Sequence, residues 1–199
     1  MDIISQILIF FGNNTPAISF FGAIIGGEET LVLLTIYSVD GTLHLGYILL
    51  FFYLGIMVSD TMWYLIGKSR LFAWLIKLKF ISSAYGYWGK LLDTTTKKKD
   101  FQTLFVTKFL YGFRIPTIMY LARERLSLQS FLKYSLLANF IWVGIISTLG
   151  WMTGKGIKTV TYFSNSIVLE VFLVGVVLVL FAIIMRAVST RVKQWLQNK

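Results

Sequence analysis

Five ionisable side chains, Glu28, Glu29, Asp60, Lys108 and Arg114, fall within otherwise apolar runs. An ionised group at the centre of a bilayer costs roughly 2.5–3.5 kcal/mol on insertion scales, so each must be paired, neutralised or hydrated. Arg114 carries a planar, permanently charged fork that matches phosphate, and Lys108 adds a second cation. These two read as an anion-binding (substrate-binding) pair; the bland alternatives are a structural ion pair or snorkelling toward the interface. Glu28 and Glu29 are adjacent carboxylates. Mutual repulsion and burial disfavour both charges, so the pair can hold a proton; a solvated loop tip is the competing reading. Asp60 is either a third acid of the proton-coupling set or a plain ion-pair partner. Tyr64, one turn later on the same helical face, is placed to hydrogen-bond into the cluster.

These residues need elements that bring them to one depth. The chain has 199 residues, with 56% hydrophobic and only 14% charged residues; its mean hydropathy is +0.72. Several apolar runs reach the ~20 residues of a bilayer span, so the sequence predicts a single-domain, all-α polytopic membrane protein. Met1 to Phe11 lacks a basic n-region and a small-residue cleavage site, so a removed signal peptide is not expected. Ile3–Phe11 is too short to span and reads as interfacial.

The spans follow from the pattern. Asn13–Pro16 is a helix-start signal. Residues 16–39 are apolar but interrupted by Gly26-Gly27-Glu28-Glu29, and Asp40–Thr42 is a turn. Residues 43–66 form a span, within which Gly55-xxx-Ser59 marks close helix packing. Residues 71–88 mix Lys77 and Lys79 with aromatics and read as an amphipathic surface helix; Asp93–Asp100 is a polar loop. Residues 101–122 are broken near Gly112 and Pro116. Arg123–Leu126 reads as a helix start with solvated charges. Residues 131–152 and 167–188 are spans, separated by a loop beginning at Thr153–Lys158, and 189–199 is a basic tail.

Charge sets the orientation. The net charge is +10, and no Lys or Arg precedes Lys68. Such asymmetry belongs to membrane topology rather than to nucleic-acid binding. Arg186, Arg191, Lys193 and Lys199 make the C-terminus cytoplasmic, in a plasma membrane. Residues 67–100, with eight basic residues, and Arg123/Arg125 then also lie inside. Segment 101–122 therefore starts and ends on one side, as a re-entrant hairpin, and 16–39 becomes a second hairpin entering from the opposite face. From Pro16 to Gly27 a helix rises about 18 Å, near half of a ~30 Å hydrocarbon core. Two opposed hairpins, each followed by a span, make an inverted-repeat plan, of the kind that places transporter sites near the midplane. "YLIGK" (Tyr64–Lys68) and "WMTGK" (Trp151–Lys155) echo it faintly. In one continuous helix Lys108 and Arg114 would point about 120° apart; a break at Gly112–Pro116 lets them converge.

Other chemistries find no support. The chain has no cysteine and one histidine, His44, which reads as incidental. Metal ligation needs a His/Cys/Asp/Glu cluster, and no GxSxG, Walker-type loop or HExxH is present. No enzyme activity, cofactor or metal is expected, and a homo-oligomer is left open.

The order and spacing of several pieces resemble the DedA (SNARE-associated) family of membrane proteins, over roughly Phe20 to Gly154. The pieces are Ser59-Asp60-xxx-Tyr64-xx-Gly67-Lys68, then Lys108-Phe109-Leu110-Tyr111-Gly112-Phe113-Arg114-Ile115-Pro116 leading to Leu121-Ala122, then Asn139, Trp142, Gly150 and Gly154. Lys108 stands for the family's first Arg, Tyr111 for its Pro, Arg123 for its closing Gly and Gly26-Gly27 for its turn prolines. The family's earlier membrane acid is missing near Pro16–Ala17. Either Glu28 or Glu29 can take the turn-acid role. The resemblance implies movement of lipids between leaflets, with a polyprenyl-phosphate such as undecaprenyl phosphate or a phospholipid as substrate and proton coupling through the acids. A small-anion or ion transporter and a non-transporting membrane adaptor are the alternatives.

Overall fold

A computed structural model of the chain describes residues 13–41, 43–77, 85, 86, 89, 92, 99–108, 113–162 and 167–197. Among these, all regular structure is helical. The α-helices are α1 (Thr15–Ile25), α2 (Gly27–Tyr37), α3 (Leu45–Lys68), α4 (Arg70–Leu75), α5 (Asp100–Lys108), α6 (Arg114–Glu124), α7 (Leu128–Tyr162) and α8 (Ile167–Gln197), with a 3-10 turn over Ser38–Asp40. Two of them, over Leu45–Lys68 and Leu128–Val160, are long and apolar enough to cross a membrane; Val171–Ala187 and Thr15–Ile25 are shorter apolar stretches. On α7, Leu136, Phe140, Leu149 and Met152 are exposed. Such a surface suits hydrocarbon better than water, in which apolar patches of this kind are rare. The expected 3–11 interfacial segment, Gly112 at the second break and most of the Asp93–Asp100 loop lie outside the described residues.

The chain divides into two compact units, Met1–Val58 with Asn139–Ala182, and Ser59–Ala138 with Ile183–Lys199. In the first unit α1 and α2 form a helix pair. Pro16 sits in the first turn of α1, where its missing N–H costs nothing. The break falls at Gly27, whose φ of +62° is left-handed and suits glycine. Gly55 of α3 lets α1 approach: a Cβ there would run into the Phe20 carbonyl and lie 2.9 Å from the Ala23 methyl. Gly154 of α7 does the same for α2, since a Cβ would lie 2.7 Å from the Ile36 carbonyl oxygen. Small residues at such spacing let membrane helices pack closely. Leu31, Leu34, Ile36, Phe52, Ile56 and Trp142 are buried here.

In the second unit α5 packs against α6, and a core forms around Tyr64, Leu104, Ile118, Leu121, Ala122 and Phe131. Tyr64 stacks on Phe131 with ring centroids 4.6 Å apart. Gly67 admits α6, because a Cβ would meet the Met119 Cα at 2.7 Å.

Three expected boundaries move. The loop at Thr153–Lys158 is helix: α7 runs unbroken to Tyr162. Gly154 packs on α2, and Lys158 pairs with Asp40, so tertiary contacts outweigh two glycines and two lysines. The basic tail continues α8 as helix to Gln197. Arg123–Leu126 is a helix end, not a start: α6 stops at Glu124, Arg125 caps it and Leu126 is buried. Of the expected surface helix over 71–88, the start is the helix Arg70–Leu75, capped by Ser69, which accepts from the Phe72 N–H at 3.2 Å; residues 78–84, 87 and 88 lie outside the described residues.

Candidate functional site

Asp60 projects from α3 and is 1% exposed. A lone carboxylate at that depth is prohibitive, and the donors gathered on it explain its presence. Arg114 Nε and Nη2 donate to Oδ1 at 2.8 and 2.5 Å. Lys108 Nζ at 3.3 Å and Ser135 Oγ at 3.1 Å donate to Oδ2. The Lys108 side chain is 3% exposed and that of Arg114 17%. Two cations thus share one carboxylate, and the fork of Arg114 is the more accessible.

The elements explain how both cations arrive. Lys108 is the last residue of α5, where the helix dipole favours a positive charge. Arg114 is the first residue of α6, where the dipole disfavours one, and the Asp60 carboxylate beside it offsets that cost. The two cations stand on two helices, α5 and α6, that pack against each other, so the 120° divergence of one continuous helix does not apply. Pro116 is exposed and lies in the first turn of α6. It therefore sits at the start of the second helix, where no intrahelical N–H partner is lost.

Tyr64 does not reach the carboxylate. Its hydroxyl donates to the Leu126 carbonyl at 2.8 Å, because the long phenol extends past its own helix to the end of α6. Helical spacing placed it on the Asp60 face but could not say how far it reached.

In the first unit, Glu28 and Glu29 occupy the second and third positions of α2, where the helix N-terminus favours acids. Trp142 Nε1 donates to Glu28 Oε1 at 3.3 Å, from a side chain 1% exposed. Glu28 and Glu29 belong to the first unit; Asp60, Lys108 and Arg114 belong to the second. Asn139, fully buried, donates to the Met57 sulfur at 3.3 Å.

Ser135 is the site residue that sequence reasoning missed. Its only signal is that Ser135, Asn139 and Trp142 recur at helical spacing as polar groups on an apolar helix. Among the described residues no three His, Cys, Asp or Glu side chains gather to hold a metal. An open apolar groove of about 870 Å³ lies between α3 and α7, lined by Leu49, Leu50, Tyr53, Phe140, Gly144 and Thr148 among others, and it contains none of the charged residues.

Long apolar helices with buried charged groups define an α-helical membrane protein. Compared with known proteins, the chain is similar to Inner membrane protein YohD of Escherichia coli (strain K12), with 27% identity over 147 residues, covering 67% of this chain and 68% of that protein. No family model matches, and no solved structure matches.

Proposed function

We propose that this protein is a lipid translocase, a transporter rather than an enzyme, which carries the phosphate headgroup of an anionic lipid between leaflets. The observation that carries the reading is Asp60 shared by Arg114 and Lys108 at 2.5–3.3 Å. A phosphate has more acceptor oxygens than a carboxylate and fits the same guanidinium fork. It exchanges with Asp60 as the partner of the cations, and Asp60 returns when the lipid leaves. This competition keeps the site from holding its anion too tightly. Glu28 and Glu29, together with Asp60, supply proton coupling. The sequence resemblance to DedA proteins and the similarity to an inner membrane protein support a bacterial-type plasma-membrane carrier of prenyl-phosphate or phospholipid.

A structural tie is the second reading, and one observation favours it. Asp60 accepts from both cations and from Ser135 at once, which is a satisfied buried network. Phosphatidylcholine vesicles carrying a few per cent of fluorescent phosphatidylglycerol or prenyl-phosphate separate the two. Transport speeds lipid exchange between leaflets, Arg114→Ala abolishes the gain and Lys108→Arg keeps it. Movement of soluble phosphate alone makes the protein a small-anion transporter. No movement of either, with Arg114→Ala merely destabilised, makes the cluster a tie in an adaptor.

A further inference from the structure

The cations sit at one end of a helix pair, and the other end of the same pair is also joined by charge. Asp100 is the first residue of α5 and Arg125 caps α6. Arg125 Nη2 lies 2.5 Å from Asp100 Oδ1, with the side chains 12% and 24% exposed. It is an ion contact rather than an aligned hydrogen bond. Each charge stands at the helix end whose dipole favours it, acid at the start of α5 and base at the end of α6. Next to Arg125, the Leu126 carbonyl accepts from Tyr64, which belongs to α3, the helix that carries Asp60.

The pair is therefore fastened twice. At the cation end, Asp60 of α3 receives Lys108 and Arg114. At the far end, Asp100 meets Arg125, and Tyr64 of α3 meets Leu126. The two arms differ in length: Asp100 to Lys108 rises about 12 Å, and Arg114 to Arg125 about 16 Å. Their axial offset is not fixed by symmetry, so something must set it. A slip of one residue moves an arm by about 1.5 Å. That is enough to take Lys108 Nζ, already at 3.3 Å, out of hydrogen-bond reach of Oδ2 of the carboxylate whose Oδ1 holds the Arg114 fork.

We propose that Asp100 and Arg125, with the Tyr64–Leu126 bond, are positioning groups that set the register of α5 against α6, so that Lys108 and Arg114 converge on one anion position. This rests on the anion-binding reading above. The three side chains touch no substrate; they act through the two cations.

The test uses the full chain in detergent micelles and a soluble phosphate-monoester lipid, dihexanoyl phosphatidic acid, titrated calorimetrically. Calorimetry separates the dissociation constant from the fraction of competent protein. A merely structural role lowers the competent fraction and leaves Kd unchanged. The positioning role raises Kd in Asp100→Asn and Arg125→Gln by about tenfold to a hundredfold, the cost of ångström-scale misplacement. Arg125→Lys, which keeps the charge, recovers most of the affinity. Combining Asp100→Asn with Arg125→Gln costs no more than either alone, because one contact is lost. Tyr64→Phe, which keeps the ring stack, raises Kd in the same direction and serves if the charge variants do not fold. An unchanged Kd in Asp100→Asn and Tyr64→Phe overturns this inference while an abolished signal in Arg114→Ala leaves the anion-binding reading standing. An unchanged Kd in Arg114→Ala overturns both.

Discussion

Arg114 places two nitrogens, Nε and Nη2, on a single oxygen of Asp60 and leaves the other oxygen to Lys108 and Ser135. The carboxylate is thus the hub, and each cation is one spoke. Removing the hub leaves two buried cations without their common acceptor, at a cost of about 3–5 kcal/mol. Removing Lys108 leaves Asp60 with Arg114 and Ser135, at a cost of about 1.5 kcal/mol. Asp60→Asn is therefore expected to lower thermal stability in detergent well beyond Lys108→Met. Equal losses would mean that the cluster is not organised around the acid.

The cluster was legible because charge in an apolar chain demands a partner. With few acids and bases at membrane depth, Asp60, Lys108 and Arg114 could be listed from the sequence alone. Ser135 could not. A hydroxyl on an apolar helix usually bonds its own backbone, as Ser147 does to the Gly144 carbonyl at 3.1 Å, and nothing in the sequence marks the one that turns outward. The helix pair on either side of Gly26–Gly27 was legible from its glycines, whereas Gly112, at the second expected break, lies outside the described residues. The extent of α7 was not legible: Thr153–Lys158 has loop composition, and its helix depends on contacts with α2 and Asp40 that only folding supplies.

Two glycines in that stretch separate helix propensity from packing. Nothing lies within 4 Å of a Cβ built on Gly156, which is exposed, whereas one on Gly154 would lie 2.7 Å from the Ile36 carbonyl oxygen. In an exposed helix position alanine is better than glycine by about 1 kcal/mol. Overpacking against backbone costs about 1–3 kcal/mol. Gly156→Ala should raise the unfolding midpoint and Gly154→Ala should lower it. A drop at Gly156→Ala would mean that residues 153–158 are not helical.

Tyr85 carries a pH signature. Burial first, then the charge of Glu124 and the hydrogen bond to it at 3.1 Å, hold its phenol above the ordinary tyrosine value. A group whose folded value is raised contributes stability that is complete below its unfolded value, about 10, and lost as pH climbs through the folded one. The stability difference between the native chain and Tyr85→Phe should be flat from about pH 6 to 9 and should turn against the native chain above about pH 10. Thermal melts across that range check it; a change near neutrality would point to a different titrating group.

Trp142 donates its indole N–H to Glu28, the first of two neighbouring acids. Trp142→Phe keeps most of the ring packing and removes the donor, so it isolates the bond. A hydrogen bond to a charged group contributes about 1.5–3 kcal/mol, and the 3.3 Å length puts this one at the low end. In a double-mutant cycle, Glu28→Gln and Trp142→Phe should therefore couple. Glu28→Gln and Glu29→Gln decide which acid takes the proton-coupling role. Imposing a pH gradient on vesicles should alter lipid exchange in the native chain and in Glu29→Gln, and should not alter it in Glu28→Gln. If Glu28→Gln still responds and Glu29→Gln does not, the indole contact is scaffolding and the proton site is its neighbour.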